Sequence, residues 1–459
     1  MLPHPTADAH APGGAASADG DGAPAWAALD AAHVWHPYTQ MHTAPPPIPI
    51  VAADGAYLIA HDGRRILDGI SSWWVNIHGH SHPRLNRALA AQAEKMQQVM
   101  FAGFTHPAAA KLAAALADRA PGDLPHVFYS DDGSTAVEVA MKMAFQYWRN
   151  RGDDRRTLFV ALDDAYHGDT FGAMAAGGVS TFHATFAALF CTVRRVATPW
   201  SADRPDAGED LETLLAREGD RVAAVLIEPM LQGAGGMRVQ PPAYVQRVRA
   251  LTADHGIPLI ADEIFTGFGR TGRFFACEHA GVEPDLLCVS KALTAGYLPL
   301  SATLASPAIY DAFLSEDRGR TLFHGHSFTG NALACAVALE SLALFDDADR
   351  LGRVAALERR FRERLARIAN LPAVAETRCL GAMAAIDVKP RGDGGYLDAL
   401  GPQLAAAFLA RDILLRPLGN VLYFLPPYVI DDADVERVFD AIEDVLGALG
   451  STDGAEASP

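Results

Sequence analysis

Two short runs of almost entirely apolar residues end in a charged residue, and they limit what this 459-residue chain can fold into. One run ends at Asp262 and the other at Lys291. Runs of this kind are typical of parallel strands that are buried on both faces. Because ligands of open α/β sheets bind beyond the carboxyl ends of such strands, we expect both side chains at one site. For an arbitrary Asp and Lys, a salt bridge at a sheet edge is the competing interpretation.

Similar runs alternate with helical segments through the middle of the chain, which predicts βαβ units and a mostly parallel sheet. The segments interpreted as strands are Val127–Ser130, Leu158–Leu162, Val222–Glu228, Pro258–Ile264 and Leu286–Ser290. We expect residues 85–345 to form a large α/β domain around this sheet.

Beyond that domain the apolar pattern changes and predicts a small α+β domain over residues 346–449. Apolar residues at helical spacing indicate amphipathic helices around residues 351–368 and 435–449. The two segments between them that are interpreted as strands are Ala382–Val388 and Val421–Leu425.

Residues 31–84 are expected to contribute to the small domain and to the active site. Within them, Tyr57–Leu67 predicts a short hairpin around an Asp-Gly turn. Residues 1–30 are rich in Ala, Gly, Asp and Pro and lack a hydrophobic period, and residues 450–459 are similar. Such composition predicts a disordered leader and a disordered tail.

The formal net charge of −17 argues against nucleic acid and anionic membranes as partners, because both attract Lys and Arg. The first positive side chain is Arg64, and no apolar stretch reaches the ~18 residues of a membrane span. We therefore expect a cytoplasmic protein that acts on small molecules. Its five cysteines lack CxxC spacing, which predicts reduced, buried thiols rather than disulfides or a metal site.

A carboxylate and an amine at one sheet edge are the groups that pyridoxal phosphate requires. A lysine forms a Schiff base with its aldehyde, and an aspartate pairs with its pyridinium nitrogen. The turn from Ser130 to Thr135 joins a predicted strand to a long helix and contains Gly133 and Ser134. Free amides at a helix start bind phosphate without a lysine, although most such turns bind nothing. Thr135 and Glu138 fit a capping box for this helix.

Aromatic and cationic side chains supply further candidates. Tyr166 follows a predicted strand and could stack on a flat cofactor ring, although a packed loop is the ordinary interpretation. Trp73 and Tyr38 lie in the N-terminal region, where core packing is the default for an aromatic side chain. Arg416 interrupts an apolar stretch and needs a partner. A substrate carboxylate and a structural ion pair would serve that need equally well.

The GxGxxG match at Gly267–Gly272 does not predict dinucleotide binding. A predicted strand precedes it, but no helical apolar period begins at its last glycine. A dinucleotide-binding fingerprint requires that helix, so a nicotinamide-dependent dehydrogenase is disfavoured.

Together these residues resemble the class III, fold type I pyridoxal-phosphate aminotransferases, from about residue 33 to residue 442. The motifs that carry this likeness are DE (262–263), GFGRTG (267–272), FACEH (275–279), PD (284–285) and KAL (291–293). Within the class, the sequence is most similar to the diaminopelargonate synthases of biotin synthesis. The motifs for that likeness are HVWHPYT (33–39), DGISSWW (68–74), HG (78–79), VMF (99–101), AMKM (140–143), YHGDTFG (166–172), RP (416–417) and LPPY (425–428).

The resemblance implies a role for each matched residue around the cofactor, pyridoxal 5′-phosphate. Lys291 would bind the cofactor covalently and move the proton. Asp262 would keep the ring nitrogen protonated. Gly133 and Ser134 would bind the phosphate, and Tyr166 would cover the ring.

The resemblance also implies a substrate pocket and a second subunit. The residues implied to shape the pocket or bind substrate are Tyr38, Trp73, Tyr166, Asp169, Lys291, Gly325 and Arg416. Arg416 would take a substrate carboxylate, and Tyr38 is expected among the catalytic residues. Gly325, His326 and Ser327 would reach the cofactor phosphate of a neighbouring subunit, which implies a homodimer with shared active sites.

The implied reaction transfers an amino group to 8-amino-7-oxononanoate and gives 7,8-diaminononanoate. S-adenosylmethionine is the usual donor in this family. Where well-known members carry Gly-Pro-Thr, this chain has Gly325-His326-Ser327, and some relatives use lysine, so lysine stays open as the donor. Ala295 also replaces a common glycine. The competing hypotheses are an aminotransferase for other ω-amines or amino acids, a PLP aminomutase or racemase, and a non-catalytic binding protein.

Overall fold

The computed structural model describes residues 23–201, 208–390 and 394–452. Its strands are β1 Ile50–Asp54, β2 Tyr57–Ala60, β3 Arg65–Asp68, β4 His126–Ser130, β5 Leu158–Leu162, β6 Val193–Val196, β7 Val222–Ile227, β8 Leu231–Gln232, β9 Arg238–Val239, β10 Leu259–Asp262, β11 Leu286–Val289, β12 Ser301–Ala305, β13 Val374–Leu380, β14 Met383–Val388, β15 Ile413–Leu414 and β16 Val421–Phe424.

The other regular elements of the described residues are helices. The helices are α1 Ala25–His33, α2 Ser71–Trp74, α3 Pro83–Ala93, α4 Pro107–Ala117, α5 Gly133–Asn150, α6 Phe171–Ala176, α7 Ser180–His183, α8 Leu211–Glu218, α9 Pro242–Asp254, α10 Pro307–Asp311, α11 Ala332–Asp347, α12 Arg350–Ile368, α13 Leu400–Leu409 and α14 Asp432–Thr452. Short 3-10 helices cover Ala184–Leu189, Gly219–Arg221, Ala276–His279, Lys291–Thr294 and Arg318–Arg320.

A seven-stranded sheet in the order β4-β12-β11-β10-β7-β5-β6 forms the centre of the molecule. Strands β11, β10, β7, β5 and β6 pair in parallel, and only β12 runs antiparallel to its neighbours β11 and β4. The α/β class with a mostly parallel sheet is therefore confirmed, and the five predicted strands are β4, β5, β7, β10 and β11. Every residue of β5, β7, β10 and β11 is buried, as the apolar runs predict.

Strands β6 and β12 have no counterpart among the predicted segments. The edge strand β6 contains Arg194 and Arg195, and only its last residue is buried. Strand β12 is buried but built from Ser, Ala and Thr with a single leucine. Neither segment has the strongly apolar pattern by which the other strands were recognised.

The C-terminal part folds around a three-stranded sheet in the order β13-β14-β16, which agrees with the predicted α+β pattern. The apolar faces of α12 and α14 pack on it through three fully buried rings. Phe361 lies 5.3 Å from Phe424 and 5.5 Å from Phe439 between ring centroids, and Phe424 and Phe439 are 5.8 Å apart. These contacts join both helices to β16.

The predicted hairpin is present as β2 and β3, which pair antiparallel. Strand β3 also pairs in parallel with β15, through Leu67 with Ile413 and Asp68 with Leu414. The N-terminal segment is thereby joined to the C-terminal part of the chain, as the sequence predicts.

Two predictions about the ends of the chain need correction. The leader predicted over residues 1–30 is too long, because Ala25–His33 forms α1, a segment rich in helix-favouring alanine. The tail predicted over residues 450–459 overlaps α14, which ends at Thr452. Residues 1–22 and 453–459 lie outside the described residues.

The five cysteines are free, but one of them is not buried. Cys191 is exposed, between a 3-10 helix and β6, whereas Cys277, Cys288, Cys335 and Cys379 are buried. The prediction that all five thiols are buried is therefore wrong for Cys191.

We expect Phe439→Ala to destabilise the C-terminal part by about 3–5 kcal/mol, because it removes a buried ring from the three-ring cluster. The midpoint of thermal unfolding, followed by circular dichroism, measures this loss. Phe186→Ala is the matched control, since the Phe186 ring is 42% exposed and should change the midpoint far less. Equal midpoints for the two variants would contradict the packing described here.

Candidate active site

A cavity of about 600 Å³ opens beyond the carboxyl ends of the central strands. It is the place where open α/β sheets bind ligands. The predicted site residues that line it are Tyr38, Trp73, Gly133, Ser134, Tyr166, Asp169, Asp262, Lys291 and Arg416. Residues far apart in the sequence therefore meet at one site, as the two charged strand ends predict.

Asp262 ends β10, and Lys291 follows β11 after Ser290. The two strands are neighbours, with Asp262 beside Cys288 in the register. Burial lowers the pKa of Lys291, and attraction to Asp262 offsets part of that change. Among the described residues, the Lys291 amine has no hydrogen-bond or ion-pair partner, and it faces the Trp74 ring at 5.0 Å. Its backbone φ of 41° lies in the left-handed region, a conformation common at functional sites.

Two further ionisable residues, His167 and Glu228, line the cavity although the sequence did not single them out. His167 Nδ1 lies 2.8 Å from Asp262 Oδ2, and both side chains are buried. Burial lowers the pKa of His167, but the hydrogen bond and charge of Asp262 outweigh burial and leave that pKa raised. Burial also raises the pKa of Glu228 to about 7, with His167 opposing the change. The signal for His167 in the sequence was its place in the family motif YHGDTFG (166–172).

Gly133 begins α5 and leaves room at the start of the helix. A Cβ atom at Gly133 would lie 2.8 Å from Ile264, and one at Gly168 would collide with Ser134. Asp132 caps the helix by accepting from the Thr135 amide, while Thr135 Oγ1 accepts from the Asp132 amide. The open helix start is therefore a suitable place for a phosphate.

The predicted capping box of Thr135 and Glu138 is wrong, because the helix begins three residues earlier than its pattern suggests, with Asp132 as its N-cap. Glu138 instead accepts hydrogen bonds from Thr170 Oγ1 and from the Gly172 amide, each at 2.7 Å. This carboxylate holds the segment after Tyr166 against α5.

Tyr38, Tyr166 and Asp169 form a hydrogen-bonded group at one wall of the cavity. Tyr38 donates to Asp169 Oδ2 at 2.6 Å, and its hydroxyl lies 3.3 Å from that of Tyr166. Burial raises the pKa of both phenols above the ordinary value, with hydrogen bonding as a further cause. Both tyrosines therefore keep their protons at neutral pH.

The segment Ser71–Trp74 forms a left-handed turn at the same wall. All four residues have φ between 44° and 76°. Residues other than glycine avoid this region, at a cost of about 1–2 kcal/mol each. The turn directs Trp73 to within 5.8 Å of Tyr38, between ring centroids, and places Trp74 against Phe265 at 4.5 Å.

Arg416 reaches the cavity from the segment after β15. Its guanidinium carbon lies 4.5 Å above the centre of the Trp73 ring. Within the described residues it makes no ion pair, so the structural ion pair that its sequence context allowed is not formed there. A cationic group stacked on an indole remains available for a carboxylate.

The predicted residues Gly325, His326 and Ser327 do not line this cavity. His326 lies near the start of α5, with Nε2 3.7 Å from Asp131. Their role in the site of a neighbouring subunit stays a prediction.

The donors around the cavity fit pyridoxal phosphate. Asp262 can face the ring nitrogen, Lys291 the aldehyde, and the amides at the start of α5 the phosphate. A Cβ atom at Gly133 or Gly168 would clash with Ile264 or Ser134, which line the cavity, so a side chain at either position would disturb this wall. Among the described residues, no cluster of His, Cys, Asp or Glu is arranged to hold a metal ion, and no helix could cross a membrane.

Residues 38–446 match the family called aminotransferase class-III. The chain belongs to the class III aminotransferases. It is 48% identical to an adenosylmethionine-8-amino-7-oxononanoate aminotransferase from Synechococcus elongatus, over 91% of this chain and 99% of the relative. The crystal structure of an enzyme of that name from Methanocaldococcus jannaschii is similar with a TM-score of 0.86 and 34% identity, over 92% of this chain and 98% of the other.

An amine transaminase from an uncultivated Pseudomonas species, solved in its PLP-bound form, has a TM-score of 0.82 and 33% identity. The match covers 90% of this chain and 97% of that enzyme. As a class III aminotransferase of fold type I, this chain is a transferase whose cofactor is pyridoxal 5′-phosphate.

We expect His167→Phe to lower kcat about ten-fold or more, because a hydrogen bond to a charged group contributes about 1.5–3 kcal/mol. Without it, the remaining hydrogen bond to the Asp262 carboxylate comes from the Ile264 amide, at 3.1 Å. His279→Phe is the matched control, since His279 bonds to Thr271 and does not line the cavity. Similar kcat values for the two variants would contradict a role for His167 at Asp262.

The same variant should show a specific dependence of stability on pH. A raised pKa in the folded state means that protonated His167 stabilises the fold fully below the ordinary histidine pKa. That contribution is lost as pH rises through the raised pKa. The difference in unfolding midpoint between wild type and His167→Phe should therefore narrow as the pH rises above the ordinary histidine pKa of about 6.5. A difference that widens with pH would contradict this assignment.

Proposed function

We propose that the protein transfers an amino group from S-adenosylmethionine to 8-amino-7-oxononanoate, giving 7,8-diaminononanoate in biotin synthesis. The observation that carries the substrate assignment is Arg416, a cation without an ion-pair partner among the described residues, at an otherwise largely apolar wall. The acceptor ends in a carboxylate, which a guanidinium binds in a bidentate manner. The names of the relatives from Synechococcus elongatus and Methanocaldococcus jannaschii support the same acceptor.

The proposed division of labour follows from the chemistry of each side chain. The cofactor supplies an electron sink when it is bound. Asp262, held by His167, keeps a negative charge beside the ring nitrogen. Lys291 acts as the proton carrier, because burial lowers the pKa of its amine and so makes the neutral, proton-accepting form more accessible. The amides at Gly133 and Ser134 hold the phosphate.

The substrate is held by the opposite wall. Arg416 binds the carboxylate, and Trp73 supports the guanidinium from below. Tyr38 donates its phenol proton to Asp169, which fixes its orientation, so its oxygen accepts rather than donates a hydrogen bond at the polar end of the substrate. Tyr166 keeps its phenol proton beside it. Because hydrogen bonds and ring contacts position these groups relative to one another, they limit the poses in which a substrate amine can approach Lys291.

We propose further that the protein is a cytoplasmic homodimer whose two subunits share their active sites. The segment Gly325–Ser327 would complete the phosphate site of the neighbouring subunit. Large apolar side chains flank it, with Phe323 73% exposed and Phe328 62% exposed. Exposed aromatic residues that lie close together are typical of a surface that another subunit covers.

The donor is tested by supplying the purified holoenzyme with 8-amino-7-oxononanoate and either S-adenosylmethionine or lysine. We expect diamine formation, measured by mass spectrometry, with S-adenosylmethionine. Diamine formation with lysine but not with S-adenosylmethionine would identify lysine as the amino donor. Amino transfer from simple ω-amines to ketones, without turnover of 8-amino-7-oxononanoate, would show that the protein is an amine transaminase instead.

Lys291→Ala should abolish this turnover, because no other described amine lines the cavity. A fully active variant would defeat the catalytic assignment. Lys111→Ala is the control, since Lys111 lies on α4, is exposed and does not line the cavity.

Arg416→Leu should raise KM for the acceptor roughly 10- to 100-fold, the loss expected for a charge-assisted hydrogen bond. The affinity for pyridoxal phosphate, measured by titration, should change little. Arg411→Leu is the control, because the exposed Arg411 lies just before β15 and bonds to a helix carbonyl. An unchanged KM in Arg416→Leu would show that the carboxylate is bound elsewhere.

A further inference from the structure

The left-handed turn Ser71–Trp74 has the two adjacent tryptophans of the cavity at its end, and each tryptophan serves a different part of the site. The Trp73 ring supports Arg416, while the Trp74 ring faces Lys291. Trp74 Nε1 also donates to the hydroxyl of Tyr423 at 3.1 Å. The backbone conformation of four residues therefore controls both the substrate wall and the surroundings of the amine.

No glycine occurs in this turn, so something outside it must stabilise the left-handed conformation. The side chain of Asp68 is fully buried directly before the turn. Its Oδ1 accepts from the Ser72 amide at 2.9 Å and from the Ile70 amide at 3.3 Å. Its Oδ2 accepts from Ser72 Oγ at 2.7 Å.

His80 is the fourth hydrogen-bond partner of this carboxylate. His80 Nε2 lies 2.9 Å from Asp68 Oδ2, and since an ionised carboxylate only accepts, the imidazole donates. The backbone of His80 is fixed in turn by a pair of hydrogen bonds with Gly55. The carboxylate thus joins the turn to a rigid strand end, and both of its oxygens are occupied.

We propose that Asp68, supported by His80, is a positioning residue that holds Ser71–Trp74 in the left-handed conformation and thereby sets the substrate wall. The proposal rests on the aminotransferase activity and on the assignment of Arg416 to the substrate. Asp68 touches neither substrate nor cofactor. Its effect is carried by the backbone of the turn and by the orientation of Trp73.

Position 72 offers a matched pair of variants, because its φ of 44° suits glycine and is unfavourable for a β-branched residue. We expect Ser72→Val to raise KM for 8-amino-7-oxononanoate about 10- to 100-fold, the range for a misplaced binding group. Ser72→Gly should lie much closer to wild type. The affinity for pyridoxal phosphate should stay within a few-fold of wild type in both variants. Equal KM values for the two would overturn the proposal.

Asp68→Ala should give the same rise in KM for 8-amino-7-oxononanoate. Adding Ser72→Gly should reverse most of that rise, because glycine adopts the left-handed conformation without help from the carboxylate. Near-ultraviolet circular dichroism of the apoprotein reports the tryptophan environment independently of activity, and it should change in Asp68→Ala and recover in the double variant. If Asp68→Ala does not fold, the pair at position 72 decides the question. A double variant that recovers neither KM nor the spectrum would overturn the proposal.

Asp285→Ala is the control for the general loss of a hydrogen-bonded, partly buried carboxylate. Asp285 accepts from the Leu259 amide and from Arg249 at the opposite end of the central sheet. The Asp285→Ala variant should lower the unfolding midpoint without raising KM for 8-amino-7-oxononanoate. A rise in that KM comparable to the one in Asp68→Ala would contradict the proposal. A wild-type enzyme that rejects 8-amino-7-oxononanoate would defeat the proposed substrate, while the circular dichroism experiment would still test the turn.

Discussion

Two ionisable groups of opposite charge, Asp262 and Lys291, are withdrawn from water at the ends of neighbouring strands, and the site is organised around that constraint. A buried charge is unfavourable unless other groups compensate it. Asp262 receives hydrogen bonds from His167 and the Ile264 amide, so it can remain ionised. Lys291 receives no such support among the described residues and lies against aromatic rings instead. This asymmetry gives a fixed anion and a reactive amine in one cavity.

The features that the sequence predicted are those encoded in a single stretch of chain. Strands β5, β7, β10 and β11 are continuous apolar runs, and the positions of Asp262 and Lys291 at their ends follow directly. Strand β12 escapes prediction because its small, polar residues are buried by neighbours on both sides rather than by their own hydrophobicity. The family motifs located most of the cavity residues, although composition alone would have favoured ordinary packing for Trp73 and Tyr38.

The features that the sequence did not predict depend on contacts between distant segments. His167 acquires its importance from Asp262, which lies on another strand. The turn at Ser71–Trp74 contradicts the local preferences of serine and tryptophan, and its stabilising carboxylate becomes visible only in three dimensions. Such conflicts between local preference and observed conformation are expected where function constrains the backbone. The role proposed for Gly325–Ser327 lies in the site of a neighbouring subunit, so it cannot be read from the contacts of a single chain.

The parallel pairing of β3 with β15 has a consequence for biosynthesis. Asp68 and Leu414 come from nearly opposite ends of the polypeptide, and their pairing closes a very long loop. On the ribosome, β3 must wait for its partner until most of the nascent chain has emerged. The region around Trp73 is therefore completed late, after the central sheet has had time to form. A nascent chain that ended before β15 would contain all seven strands of the central sheet. It would lack the strand that pairs with β3, close to Trp73.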